Sequence, residues 1–213
     1  MGRRALRTLD PALDLSRHYR EAADLPPLLD VASLFGSVQP LEIEVGSGKG
    51  LFISAAARAN PSHHFLGIEI ARKYARFAAA RLAQQESPNA VMICGDALDL
   101  FQKWVPTASL AAVHVYFPDP WWKKRHKKRR VLNEAFLRDA ERTLLPGGKL
   151  HFWTDVEEYF QTSLELIARV TTLRGPLPVA EKPPEHDLDY RTHFERRTRK
   201  HELPVYRVEF EKA

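Results

Sequence analysis

The stretch Leu41-Glu42-Ile43-Glu44-Val45-Gly46-Ser47-Gly48-Lys49-Gly50 decides the fold of this chain. Apolar residues alternate with glutamates over its first half, which predicts a strand from Leu41 to Val45. Three glycines follow, and a helical pattern begins near Gly50. Glycines between a strand and a helix allow unusual backbone angles and let a ligand approach the main chain. The stretch therefore predicts the first strand, ligand-binding turn and helix of an α/β sheet.

Strands and helices alternate along the rest of the chain. The predicted strands are Leu41–Val45, Phe65–Ile70, Ala90–Cys94, Leu110–Phe117, Lys149–Thr154 and Val205–Phe210. The predicted helices are Gly50–Ala59, Ala71–Gln85, Ala97–Trp104, Leu132–Leu145 and Val156–Val170, with Pro146-Gly147-Gly148 as a helix stop and turn. This βα alternation predicts an α/β fold with a mostly parallel, doubly wound sheet and an antiparallel carboxyl-terminal strand.

A single domain is expected, because 213 residues with 44% hydrophobic and 28% charged residues are enough for one core. We expect residues 1–40 to be an irregular or partly helical lead-in, and residues 41–213 to form the core. The prolines that follow Gly175 indicate an extended connection before the last strand.

Positive charge is concentrated in one run of the sequence. The net charge is only +5, yet seven of the eight residues from Lys123 to Arg130 are Lys or Arg. A run of charges is often only a solvated face. Here no acidic residue is interleaved, so the repulsion within the run favours binding to a polyanion.

Several classes of protein are not favoured by the composition. The single cysteine, Cys94, allows no internal disulfide and no cysteine-based metal cage, and we expect no metal. No apolar run reaches the roughly 18 residues that span a bilayer, and the amino terminus lacks an apolar signal core. We expect a cytoplasmic protein with no membrane contact.

The glycine turn discriminates between three cofactors. A nucleotide-triphosphate loop requires Gly where Ile43 stands and Ser or Thr where Gly50 stands, and the dinucleotide fingerprint has a different glycine spacing. Glu44 would repel a pyrophosphate beside the turn but would favour the ammonium and sulfonium of S-adenosylmethionine. The turn, with Gly46 and Gly48, therefore predicts a methyl donor.

Carboxylates also follow the next two predicted strands. Glu69 lies where it could accept hydrogen bonds from a ribose diol, and Asp96 lies where it could meet an adenine amino group. Each could instead cap the helix that follows it. Three carboxylates after three consecutive strands favour the ligand interpretation.

The segment Phe117-Pro118-Asp119-Pro120-Trp121 holds one carboxylate between two prolines. Pro118 ends the strand because it has no N–H to donate, and Pro120 restricts Asp119 to extended backbone angles. A fixed acid beside a cationic run indicates chemistry on nucleic acid. Trp121 and Trp122 could stack on a base or pack in the protein.

The sequence closely resembles the bacterial tRNA (guanine-N7)-methyltransferase family over residues 40 to 210. The resemblance depends on motifs that occur in order: Glu44-x-Gly46-x-Gly48-x-Gly50, Phe117-Pro118-Asp119-Pro120-Trp121, Lys123-x-Arg125-His126, Thr154-Asp155 and Thr192-x-Phe194-Glu195. It implies a Rossmann-like class I methyltransferase fold, S-adenosylmethionine as donor with S-adenosylhomocysteine as product, and a guanine in the variable loop of tRNA as acceptor.

The resemblance also implies roles for individual residues. The donor site would contain Glu44, Gly46, Gly48, Glu69, Asp96 and Asp119, with Asp119 as the catalytic residue. The substrate site would contain Lys123, Asp155, Thr192, His193, Phe194 and Glu195, although Asp155 could instead cap the helix from Val156. The cationic run would supply RNA contacts from Lys124, Arg125, His126, Lys127, Lys128, Arg129 and Arg130. We expect residues 192–195 to order over the site when RNA binds. No role follows for Trp122 or residues 1–40, and both monomer and homodimer stay open.

Two other functions are compatible with parts of the sequence. A class I methyltransferase that acts on another nucleic acid or on a protein could share the fold and donor motif. A non-catalytic RNA-binding protein could retain the cationic run with a decayed donor site, although Glu44, Gly46, Gly48, Glu69 and Asp119 are all present.

Overall fold

The computed structural model describes residues 6, 8–121, 125, 129–179 and 204–213. Within these residues the elements, in chain order, are β1 (Tyr19–Glu21), a 3-10 turn (Ala22–Asp24), α1 (Val31–Phe35), β2 (Leu41–Val45), α2 (Leu51–Ala59), β3 (His64–Glu69), α3 (Arg72–Gln84), β4 (Ala90–Cys94), α4 (Ala97–Lys103), β5 (Leu110–Tyr116), α5 (Glu134–Thr143), β6 (Leu144–Thr154), α6 (Glu157–Val170), β7 (Arg174–Leu177) and β8 (Tyr206–Glu211).

The described strands form one sheet in the order β1-β4-β3-β2-β5-β6-β8-β7. Strands β1 to β6 pair in parallel, whereas β8 pairs antiparallel with both β6 and β7. This confirms the predicted mostly parallel sheet with an antiparallel carboxyl-terminal strand. The strand order reverses between β2 and β5, and open α/β sheets bind ligands at the carboxyl ends of strands beside such a reversal.

Hydrophobic side chains pack against both faces of the sheet. On one face, Ile43 of β2 belongs to a cluster with residues of α4 and α5. In this cluster the ring centres of Phe101 and Phe136 lie 5.1 Å apart. On the other face, Phe52 of α2 and Ala78 of α3 belong to a second cluster. The helices therefore cover both faces and leave the carboxyl ends of the strands for a ligand.

The predicted elements agree closely with the structure where the sequence pattern is strong. The bounds of β2 and β4 are as predicted, and most other ends differ by one or two residues. The helix predicted to start at Leu132 begins at Glu134, because Asn133 accepts a hydrogen bond from the Phe136 amide and caps it. The predicted turn at Pro146 to Gly148 lies inside β6, where the backbone at Gly147 is left-handed.

The lead-in is more ordered than the sequence indicated. It contains α1, in agreement with a partly helical segment, but also the edge strand β1, which was not predicted. Strand β1 is held because the Met92 amide donates to the His18 carbonyl at 2.8 Å and the His18 ring bonds the Ala90 carbonyl at 3.0 Å. The first two residues of the expected extended connection, Pro176 and Leu177, belong to the short strand β7.

Candidate active site

The glycine turn between β2 and α2 is fastened to the neighbouring strand. The amides of Gly46 and Ser47 donate to the Ile68 carbonyl of β3 at 2.9 and 3.0 Å. Gly46 and Gly48 have φ angles of 77° and 54°, which favour glycine. A Cβ atom at Gly46 would meet nothing within 4 Å, whereas one at Gly50 would lie 2.6 Å from the Ala78 Cβ. Gly46 therefore faces open space, and Gly50 allows α2 and α3 to pack closely.

Glu44 is a buried carboxylate directly below this turn. Glu44 is only 3% exposed, and its Oε2 atom has no hydrogen-bond partner among the described residues. Burial raises the pKa of Glu44 to about 8; Ser47 opposes this shift, and the charge of Glu69 adds to it. A cationic group placed beside Glu44 would favour its ionised form and supply the missing partner.

Glu69 and Asp96 lie at the ends of the next two strands. Glu69 accepts from the Gly48 amide at 2.9 Å and from the Ala71 amide at 2.8 Å, so it joins the glycine turn to the start of α3. Asp96 caps α4 by accepting from the Leu98 amide at 2.9 Å. The capping alternative is thus confirmed for Asp96, and the contacts of both carboxylates with a donor stay predictions.

Asp119 lies beyond the end of β5, the strand next to β2. It is exposed, while the residues that flank its two prolines, Phe117 and Trp121, have left-handed φ angles of 49° and 45°. Such angles are outliers for bulky residues and persist only where surrounding contacts impose them. One such contact is the Nε of Arg130, which donates to the Pro120 carbonyl at 2.8 Å. The structure therefore holds the turn that presents Asp119 to solvent.

The described members of the cationic run have different environments. Arg125 and Arg129 are exposed, and the Arg129 guanidinium lies 5.2 Å from the centre of the half-buried Trp121 ring. Arg130 is only 8% exposed and lies 4.4 Å from the centre of the Tyr159 ring. Arg130 thus has a clear structural role, and its predicted RNA contact is not tested by the structure. The other predicted substrate and RNA residues lie outside the described part of the chain: Lys123, Lys124, His126, Lys127, Lys128, Thr192, His193, Phe194 and Glu195, together with Trp122.

Asp155 follows β6 on the same edge of the sheet. The suggestion that it caps α6 is wrong, because the cap residue is Val156 and no side chain caps this helix. Thr154 instead accepts from the Val156 amide at 3.2 Å. Asp155 is half-buried, and its contact with substrate stays a prediction.

Comparison with known proteins places this geometry in a family. A family model described as a putative methyltransferase matches residues 38–208. A tRNA (guanine-N(7)-)-methyltransferase of Rhodopirellula baltica is 54% identical over all of this chain and 80% of its own length. One of Alcanivorax borkumensis is 36% identical over 99% of this chain and 85% of its own length. The chain belongs to the tRNA (guanine-N(7)-)-methyltransferase family.

Solved structures support the fold of this methyltransferase family member. An antibiotic-related methyltransferase aligns with a TM-score of 0.61 and 15% identity, over 86% of this chain and 94% of its own. The 16S rRNA methyltransferase KamB aligns with a TM-score of 0.60 and 16% identity, over 85% and 91%. Identities this low show the fold alone, which is that of the class I methyltransferases.

Sequence reasoning missed two features of the methyltransferase site. Ile70, directly after Glu69, is 71% exposed and lies just beyond the end of β3, although it was predicted to belong to the strand. Glu42 lies one layer below Glu44 on the same strand and pairs with His114 and His63 at 2.7 Å each. Burial opposes ionisation of Glu42, but these two partners outweigh it and lower its pKa. The strand below the site is thus fixed by polar contacts.

Two findings bear on other types of site. The described residues contain no cluster of three or more His, Cys, Asp or Glu side chains arranged to hold a metal ion. Among the same residues, no helix has the length and apolar character needed to cross a bilayer.

Proposed function

We propose that this chain transfers a methyl group from S-adenosylmethionine to N7 of a guanine in the variable loop of tRNA. Residues 1–213 would act as one methyltransferase domain in the cytoplasm, with S-adenosylhomocysteine as the second product. The observation that carries the proposal is the buried Glu44, whose Oε2 atom has no partner among the described residues, beside an open glycine turn, with Asp119 beyond the end of the adjacent strand. The family to which the chain belongs supports the choice of acceptor.

The residues at the glycine turn fit a cationic nucleoside donor. Glu44 is the acceptor that an ammonium group requires, and the open side of Gly46 leaves room for a ligand against the backbone. Glu69 and Asp96 would bind the ribose and the adenine amino group, and the exposed Ile70 offers an apolar surface for a flat base. When bound, S-adenosylmethionine supplies an electrophilic methyl group.

The acceptor residues fit a base held at the adjacent strand. Asp119 could accept hydrogen bonds from guanine N1–H and from the exocyclic amine, two donors that adenine does not present in this arrangement. Lys123 and Thr192 to Glu195 would contact the target nucleotide, and the cationic run would bind backbone phosphates. If the N7 atom is engaged within the folded tRNA, exposing the base costs a few kcal/mol.

Positioning accounts for most of the catalysis in this proposal. Guanine N7 already carries a lone pair, so no base has to remove a proton before attack. Holding reactants in line can contribute on the order of 7–11 kcal/mol. Asp119 is fixed by its two prolines and by the Arg130 contact, so it can orient the guanine and stabilise the positive charge that develops on the purine.

The test is to incubate the purified protein with S-adenosylmethionine and an unmodified tRNA transcript, then digest the RNA and identify nucleosides by mass. We expect 7-methylguanosine, and none from a transcript in which the variable-loop guanines are replaced by adenine. Methylation of a different base, or of guanines outside that loop, would contradict the proposed acceptor. A parallel donor titration separates a decayed donor site, which would not bind, from an enzyme with another substrate.

A further inference from the structure

Arg130 ends the cationic run, but its surroundings differ from those of an RNA-binding arginine. It is only 8% exposed, whereas Arg125 and Arg129 of the same run are exposed. A phosphate of a folded RNA reaches charges on an open surface, and most of the Arg130 side chain is covered by protein. Burying a charged side chain is also unfavourable unless its neighbours compensate. The contacts of Arg130 within the protein therefore indicate its role.

The main chain of Arg130 is held by the residue that caps α5. The Asn133 Nδ2 atom donates to the Arg130 carbonyl at 3.2 Å. The Oδ1 atom of the same residue accepts from the Phe136 amide at 3.0 Å, and the Phe136 ring packs against Phe101 in the core. The position of the Arg130 backbone is thus fixed by a helix that is itself packed against the sheet.

The side chain of Arg130 lies between α6 and the turn that carries Asp119. Its guanidinium is 4.4 Å from the centre of the Tyr159 ring, and its Nε atom donates to the Pro120 carbonyl at 2.8 Å. Tyr159 is 1% exposed, and the centre of its ring lies 5.7 Å from that of Phe152 in β6. A planar guanidinium can stack by its face and donate from its edge at the same time, which an ammonium cannot. A buried ring on α6 therefore orients the group that holds Pro120.

The turn that Arg130 holds requires such support. Phe117 and Trp121 have left-handed φ angles of 49° and 45°, which bulky residues adopt only where surrounding contacts impose them. Pro120 lies between Asp119 and Trp121 in the sequence, so a hydrogen bond to its carbonyl acts next to both residues. Loss of this bond would allow the turn to relax and the Asp119 carboxylate to move.

We propose that Arg130 is a positioning residue for methyl transfer, which fixes the Asp119 turn against Tyr159 and does not contact the RNA. A misplacement of about 1 Å in a group that aligns reactants can lower turnover about a hundredfold. The inference rests on the proposed function, in which Asp119 orients the guanine. It gives α6 a role in the reaction through Tyr159, and it separates Arg130 from the cations that would bind phosphates.

The main test is Arg130→Lys, which keeps the positive charge and removes the planar group. At saturating tRNA and at a temperature where every variant is folded, we expect kcat to fall by about tenfold to a hundredfold. Affinity for tRNA, its dependence on salt, and donor affinity should stay within about twofold, because the charge of the run is unchanged. Tyr159→Phe keeps the ring and should keep kcat, whereas Tyr159→Leu removes the ring and should lower kcat as Arg130→Lys does.

Arg142→Lys is the matched control for this substitution. Arg142 also donates to a backbone carbonyl, that of Val105 at 3.1 Å. Val105 precedes β5, so this contact lies at the amino end of that strand, away from Asp119. The control should therefore lose a comparable hydrogen bond and some thermal stability, but it should keep kcat.

Hydrogen exchange of the free protein tests the same role without the reaction. The Phe117 amide donates to the Trp153 carbonyl at 2.8 Å, so its exchange reports whether the start of the turn is held. We expect this amide to exchange faster in Arg130→Lys than in the parent chain, and at the parent rate in Arg142→Lys.

The outcomes separate a failure of this inference from a failure of the proposed function. Unchanged kcat in Arg130→Lys, or an equal loss of kcat in Arg142→Lys, would overturn the positioning role while guanine methylation stands. If Arg130→Gln lowers tRNA affinity and its salt dependence at constant kcat, Arg130 binds a phosphate and the inference is wrong. A parent chain that binds the donor but methylates no guanine would overturn the proposed function, and the exchange rates would still decide whether Arg130 holds the turn.

Discussion

The proposed donor half and the proposed acceptor half of the sheet edge are built differently. On the donor side, Glu69 is hydrogen-bonded to two backbone amides and Glu44 is buried beneath the glycine turn. On the acceptor side, Asp119 and Arg129 are exposed. The donor half therefore consists of polar groups that are already held in position, whereas the acceptor half is a charged surface around one fixed acid.

The difference corresponds to the size of the two proposed ligands. A small nucleoside is bound by groups that are already in position, because ordering them on binding would reduce affinity. A tRNA brings its own folded backbone, and charge on an open surface is enough to attract and align it. Changes on the donor side should therefore affect small-molecule affinity, and changes on the acceptor side should affect turnover and salt dependence.

The largest effect should come from Asp119, where the two proposed ligands would meet. Asp119→Ala should reduce kcat by at least about 10³-fold, because the guanine loses its orienting acceptor and the developing charge loses its counter-ion. Affinity for tRNA, measured by filter binding, should stay within about threefold, since the cationic surface is intact. Asp99→Ala, at an exposed position on α4, is the control. A large loss of tRNA binding instead would identify Asp119 as an RNA anchor.

Neutralising part of the cationic run should affect RNA binding alone. We would change Lys127, Lys128 and Arg129 together to Gln. The slope of log tRNA affinity against log salt concentration should then decrease by about 0.9 for each duplex phosphate that is no longer neutralised. Arg130 is left in place, because it supports the Asp119 turn. A control that changes Arg58, Lys103 and Arg138 to Gln removes the same charge from exposed helix positions elsewhere. If the slope does not change, the RNA binds another surface.

The donor side predicts a pH dependence of affinity. The free protein holds Glu44 protonated below about pH 8, whereas a bound ammonium favours the ionised form. Donor binding should therefore release a proton. Affinity should rise with pH by up to about tenfold per unit below pH 8 and should not rise further above it, because the ammonium of the donor then begins to lose its own proton. Glu44→Gln should lower donor affinity about tenfold at pH 8 and remove that part of the pH dependence. Calorimetry in buffers of different ionisation enthalpy measures the released proton. If donor affinity depends on pH in the same way in the parent chain and in Glu44→Gln, Glu44 is not the partner of the ammonium.

The smallest effect should come from Ile70. Ile70→Ala should weaken donor binding about threefold to fivefold, because less apolar surface is buried against the base. Stability should not change, since the side chain is exposed in the free protein. Val38→Ala, at another exposed apolar position, serves as the control for general surface effects. If Ile70→Ala instead weakens tRNA binding threefold to fivefold and leaves donor affinity unchanged, Ile70 contacts the RNA and not the donor.

The sequence predicted best what is determined locally. Strand β2 and its glycine turn were identified from alternation and spacing, and Asp96 was recognised as a possible cap. Strand β1 was missed because its three polar residues gain their structure from pairing with β4, more than 70 residues away. The burial of Arg130 was missed for the same reason, because its partners are the Pro120 carbonyl and the distant Tyr159 ring.

Two further features have no signal in a single sequence. Left-handed angles are expected at glycine or asparagine, so nothing marked Phe117 and Trp121. The packing of α6 is also invisible locally, so the burial of Tyr159 and Ser163 on that helix was not predicted.

The left-handed residues around Asp119 also limit how far this protein can be stabilised by substitution. Each such residue destabilises the folded chain by on the order of 1–3 kcal/mol, and glycine at Trp121 would relieve that strain. The same change would loosen the turn that holds Asp119, the proposed catalytic acid. Stability and activity are therefore in conflict at this position, and variants selected for heat resistance should acquire their substitutions elsewhere in the molecule.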